Sequence, residues 1–192
     1  MNVFVLAKKQ TEIAEMQCDK HAVKMPVESG QMLSTAHRIL DGTEEMRPSR
    51  SGKRMVKYFK LSDRQKERTL YKVAHPKHPS TLWTMETVEN YMWHFNLWHE
   101  MLLEYLYRYR KMHKGWELFD ILESPPDNIP DGPLTPLPQC MPEQYQGDNV
   151  VEAYRKFYLG EKSRFAAWNK ARPAPDWYTE GLAAMDIDGV TV

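Results

Sequence analysis

Between Cys18 and Leu33 the chain reads CDKHAVKMPVESGQML, and Asp19, His21, Lys24 and Glu28 fall within its first eleven residues. On a helix, residues three and seven apart share a face, so His21, Lys24 and Glu28 align. A carboxylate, an imidazole and an ammonium on one face are the groups that acid–base chemistry uses. The same spacing also suits an ion network on a solvated face, and spacing alone does not separate the two. Seven histidines raise the question of a metal. His75 and His78 stand in HPKHP, and His94 and His99 lie in a long apolar-periodic stretch. None follows the zinc-protease pattern HExxH or pairs with a cysteine at ligand spacing. There is no Walker loop, no GxGxxG and no GxSxG, so nucleophilic serine chemistry has no support.

Three periodic segments must carry these groups. Ala22, Met25, Ser29, Met32, Ala36 and Ile39 step by three and four, and Pro26 inside that pattern predicts a kink or the true first turn. Val88, Tyr91, Phe95, Trp98, Leu102, Tyr105, Tyr109, Met112 and Trp116 form one stripe, which predicts a single helix from about Thr81 to Lys114. Trp93 and Tyr107 fall off that stripe, where they either stack on bases or line a second buried face. Val151, Tyr154, Tyr158, Phe165 and Trp168 predict a third helix from about Asp148 to Ala171, weakened at Gly160. MNVFVLAKK reads as a first strand or an extended arm. The run SPPDNIPDGPLTPLPQCMP is too rich in proline and glycine for regular structure, and is expected to lie across the helices as a covering arm or part of a site. The expectation is a mainly α fold: one helical domain over 1–178, with a basic loop at 43–72, a proline-rich loop at 124–147 and a flexible tail at 179–192.

At 192 residues the chain is long enough to bury a core without staples. Cys18 and Cys140 fit no metal spacing and suit a reducing cytoplasm. No apolar run reaches the length of a membrane span. The net charge is zero, yet Arg47 to Lys72 holds ten basic residues against Asp63 and Glu67, a local charge of +8. Such a block suits a phosphate-facing patch or a solvated loop.

Four segments, taken in order, resemble the bacteriophage pyrimidine-dimer DNA glycosylase/AP lyase family, the T-even endonuclease V type. They are Asp19-x-His21-x6-Glu28; His78 opening an aromatic-rich stretch that ends in LLEYLYRYRKMHKG; Pro142, Tyr145, Gly147 and Asp148; and ARPAPDWY. The resemblance spans most of the chain. It implies an endonuclease V-like fold and a DNA glycosylase, with or without AP lyase activity, that needs no cofactor and acts as a monomer on double-stranded DNA. It further implies that a terminal amine attacks C1′ of the damaged nucleotide while a glutamate steadies the cationic intermediate. Carried over, the amine is that of Met1 and the carboxylate is Glu28. Asn2, Lys20, His21, Lys24, Arg54, Lys57, Lys162 and Arg164 are the expected DNA contacts. The family's arginines beside these groups are absent here, where Asn2, Val27 and Gln31 stand. Two rival readings are a catalytically silent nucleic-acid binder on the same scaffold and a histidine-dependent metal hydrolase of nucleotides.

Overall fold

The computed structural model describes residues 2–49 and 51–187. Met1, Arg50 and residues 188–192 lie outside the described residues, so the expected role of the Met1 amine does too. The helices are α1 (Gln10–Met16), α2 (Asp19–Asp41), α3 (Arg64–Thr69), α4 (Pro79–Glu86), α5 (Val88–Tyr109), α6 (Phe119–Leu122), α7 (Val150–Lys162) and α8 (Asp176–Ile187). One antiparallel hairpin, β1 (Thr43–Pro48) with β2 (Met55–Lys60), is the sheet among the described residues. The fold is mainly α. Its described residues form two compact units, the first holding 27–98 and 114–138, the second 2–26, 99–113 and 139–187.

In the first unit, Arg38 of α2 is 2% exposed and uses its guanidinium completely. It donates to the Tyr71 carbonyl at 2.6 Å, the Phe59 carbonyl at 3.0 Å, the Leu70 carbonyl at 2.9 Å, the Glu67 carbonyl at 3.0 Å and Glu67 Oε2 at 2.8 Å. The last strand of the hairpin, the end of α3 and the segment after it are thus tied to one side chain. The expected loop at 43–72 is ordered for this reason: as a hairpin followed by α3, it supplies the acceptors that a buried cation requires. Glu67 also accepts from the Tyr58 hydroxyl and from Leu61 N–H. Burial alone would raise its carboxyl pKa, but Tyr58, Leu61 and Arg38 outweigh that and hold it down to about 2.

The expected helix from Thr81 to Lys114 is interrupted at Thr87, which is extended at φ −144° and ψ 158°. Thr87 Oγ1 accepts from Asn90 N–H and donates to the Pro133 carbonyl, so it caps α5 just ahead of the apolar stripe. Asn90 bonds Trp83 O and both sides of Thr135. The proline-rich segment therefore crosses the α4–α5 junction, as expected of a covering arm. Gly132 sits where a Cβ would meet the Thr87 methyl. His37 and His94 are fully buried here. The Tyr91 hydroxyl donates to Leu122 O, so it accepts from His37 Nε2, and Thr84 likewise donates to Ser80 O and accepts from His94 Nδ1.

In the second unit, residues 3–7 are an extended, buried arm. Phe4 stacks on His21 with centroids 4.6 Å apart and meets Phe157, Tyr154 and Tyr158 of α7. α2 starts at Asp19 and runs through Pro26, which removes one backbone donor without ending the helix. α5 stops where Arg110 takes a left-handed φ of 54°. α7 ends at Lys162 and not near Ala171, because the chain beyond it bonds elsewhere. Asn169 N–H reaches Asp19 Oδ2 at 2.6 Å, Asp19 N–H reaches Ala167 O at 2.8 Å, and Trp168 Nε1 reaches Met16 O at 3.2 Å. Gly160 lies within α7, where the Tyr145 ring leaves no room for a Cβ. The expected tail from Thr179 is helical to Ile187, and within α8 Gly181 packs against Leu159 of α7.

Arg38→Ala strands one carboxylate and four carbonyls. The expected outcome is a loss of about 3–5 kcal/mol in urea unfolding, against less than about 0.5 kcal/mol for the exposed Arg68→Ala.

Candidate nucleic-acid interface

In the second unit the start of α2 and the end of α7 bring cations together. Lys20 Nζ lies 4.6 Å from the centre of the Phe165 ring, and Lys162 Nζ 4.4 Å from that of Phe157. The Arg164 guanidinium stands 5.9 Å from Phe165. Burial lowers the Lys162 pKa; Arg164 and Lys24 lower it further, while Glu161 opposes them. A site in which cations depress one another is ready to take up an anion, since each negative charge that arrives relieves that repulsion. More of the Lys162 amine is unprotonated than in an ordinary lysine.

His21 lies beneath these cations, 5% exposed. The Tyr158 hydroxyl accepts from Cys18 N–H at 3.0 Å and stands 2.7 Å from His21 Nδ1. It therefore donates to that nitrogen, which leaves the proton of the neutral ring on Nε2. Burial first, then Lys162, Lys24 and Lys20, push the His21 pKa down to about 3. The expected DNA contact at His21 is corrected: the ring is a neutral packing partner of Phe4 and Tyr158. Asn2 is corrected in the same way. It is 8% exposed, its amide donates to Cys140 O at 2.8 Å and its carbonyl accepts from Tyr154 Oη at 2.8 Å, so its side chain anchors the arm.

Glu28 is half-buried on the same helix and belongs, by position, to the first unit. Burial first, and the charge of His75, lower the pKa of His78 there, and the Glu28 charge opposes them only in part. His78 Nδ1 accepts from Ser80 N–H and caps α4. Arg54 and Lys57 also belong to the first unit, on the hairpin, where Lys57 pairs with Glu44 at 2.8 Å. The ten expected residues thus divide. Lys20, Lys24, Lys162 and Arg164 gather around His21; Glu28, Arg54 and Lys57 lie in the other unit. Among the described residues, no group of three or more His, Cys, Asp or Glu is arranged to hold a metal ion, and no helix is long and apolar enough to cross a membrane.

Sequence reasoning passed over the residues that brace this site. Arg108 of α5 donates to Glu104 at 2.6 Å, to Asp19 at 3.2 Å, and to the carbonyls of Gln17 and Glu15 at 2.8 Å each. Arg172 donates to Glu104 at 2.9 and 3.0 Å and to Glu15 at 2.8 Å. Three of the four quoted segments therefore meet in one network: Asp19 from the first, Glu104 and Arg108 from the second, Arg172 from the fourth. The available signal was the lone acid and arginine, four apart, in the aromatic run LLEYLYRY.

The unfolded chain protonates histidine near pH 6.5, whereas folded His21 and His94 take a proton only near pH 3 and His37 only near pH 4. Between those values the unfolded state binds more protons, so stability falls as pH drops. Each ring is expected to add a slope of about 1.4 kcal/mol per pH unit, read from unfolding midpoints between pH 7 and 4. NMR titration is expected to show His21 neutral across that range. No family model, no curated protein and no solved structure matches the chain.

Proposed function

We propose that the protein binds double-stranded DNA and acts on a damaged or modified base as an N-glycosylase of the pyrimidine-dimer type. The observation that carries this reading is the cationic cluster of Lys20 and Lys24 on α2, Lys162 at the end of α7 and Arg164 in the turn after it, three of them over aromatic rings, around a neutral histidine. Phosphates supply the charge that such a cluster lacks. The chemistry rests on the resemblance. A chain amine, that of Met1, attacks C1′; the C1′–N bond to the base breaks with its electron pair leaving on the base, and the base takes a proton. Glu28 stabilises the positive charge that develops on the sugar. The ring then opens as the C1′–O4′ bond breaks, O4′ taking a proton while the amine gives one up to leave a protonated imine. In the lyase step a C2′ proton is removed and the C3′–O bond breaks with the 3′ phosphate as leaving group, which cuts the strand.

Borohydride trapping on ultraviolet-irradiated and on abasic duplex tests the reaction. A covalent adduct is expected with the wild type, placed on Met1 by peptide mapping and absent with Glu28→Gln. No adduct and no released base from wild-type protein that still binds duplex would leave the silent-binder reading in its place. For the interface, Lys20→Ala with Lys162→Ala is expected to weaken duplex binding about tenfold or more at 100 mM salt and to flatten the salt dependence by nearly two charges.

A further inference from the structure

The hairpin reverses the usual placement of apolar and polar residues. Its register pairs Glu45 with Tyr58 and Arg47 with Val56 on one face, and Met46 with Lys57 and Pro48 with Met55 on the other. The first face is half-buried and polar. The Arg47 guanidinium lies 3.6 Å from the centre of the Tyr58 ring and pairs with Glu45, while Tyr58 bonds Glu67. The second face exposes an apolar cluster toward its tip, Met46 at 55% and Met55 at 54% exposed with Pro48 beside them, while the Glu44–Lys57 pair lies nearer its base. A half-exposed ribbon ordinarily shows the opposite pattern, apolar inward and polar outward.

Charge says what this outward face meets. From Met46 to Lys57 the chain carries Arg47, Arg50, Lys53, Arg54 and Lys57 and no acid. Lys53 and Arg54 stand exposed at the turn beside Gly52, whose φ of 71° closes it. Glu44 and Glu45 lie at the opposite end, near the base of the ribbon. A second copy of the chain would bring its own exposed Lys53, Arg54 and Lys57 to the contact and be repelled. Duplex DNA is complementary: a two-stranded ribbon fits a groove, phosphates line both of its sides, and methionine and proline are side chains that wedge between base steps. We infer that the β1–β2 ribbon is a second DNA-contacting element, whose basic tip holds the backbone while Met46 and Met55 press on the stacked bases. This rests on the proposal that the protein binds duplex DNA, and it adds a device for opening the helix that the Lys20–Arg164 cluster does not provide.

A duplex with one 2-aminopurine tests it, because the probe brightens when its stacking is lost. Wild-type protein is expected to bind and to raise the fluorescence several-fold. Met46→Ser with Met55→Ser should bind within about threefold of the wild type but without the rise. Arg54→Glu with Lys57→Glu should bind at least tenfold more weakly. Equal affinity and equal brightening in all three proteins would overturn the ribbon's role and leave the cationic cluster's intact. A wild type that binds no duplex would overturn both. A dimer in sedimentation that the methionine variant converts to monomer, with DNA binding unchanged, would assign the face to self-association instead.

Discussion

A buried guanidinium is the constraint on which each unit depends. Withdrawing an arginine from water is costly unless nearly every donor finds an acceptor of good geometry. Arg38 finds its acceptors in four carbonyls and one carboxylate, and Arg108 in two carbonyls and two carboxylates. In both cases the carbonyls belong to chain that is leaving a helix or strand, where backbone acceptors lack partners of their own. The end of α3 and the end of α1 are therefore placed by a side chain from a longer helix. Local helix propensity plays a smaller part there.

The same physics decides which titratable groups are free to act. His21, His37 and His94 are held neutral first by burial, with nearby lysines adding to it at His21 and His37, and each ring meets a hydroxyl. They are packing and tautomer-fixing elements. The groups left at the surface of the second unit are ammonium and guanidinium ions resting on aromatic rings, which keep their charge while covering apolar surface. A region built that way attracts polyanions without needing a titrating group of its own. In the first unit the outward apolar face of the hairpin is a separate departure from the ordinary rule, and it is compatible with stability because Tyr58, Glu67 and Arg38 hold the inner face.

Much of this was legible in the residues themselves. Apolar periodicity determined that α2, α5 and α7 exist and that the fold is mainly α, while MNVFVLAKK could be read as a strand or an arm. Composition determined that residues 124–142 are irregular and that the basic charge is concentrated between 47 and 72. These are local properties, fixed by the 3.6-residue repeat, by backbone φ restrictions and by charge count. Only the tertiary structure decided the rest. The helix expected from Thr81 to Lys114 breaks at Thr87, just ahead of the apolar stripe, because Asn90 and Pro133 lie within reach of its hydroxyl. α7 ends at Lys162 because Asp19, some 150 positions away in sequence, offers bonds to Asn169 and Ala167. Asn2 and His21 look like contacts in a linear reading but are buried by Tyr154, Tyr158 and Phe4, and Arg38 and Arg108 look like surface charges but are the centres of their units. Burial and hydrogen-bond partners depend on which distant segments meet, and no spacing along the chain encodes that.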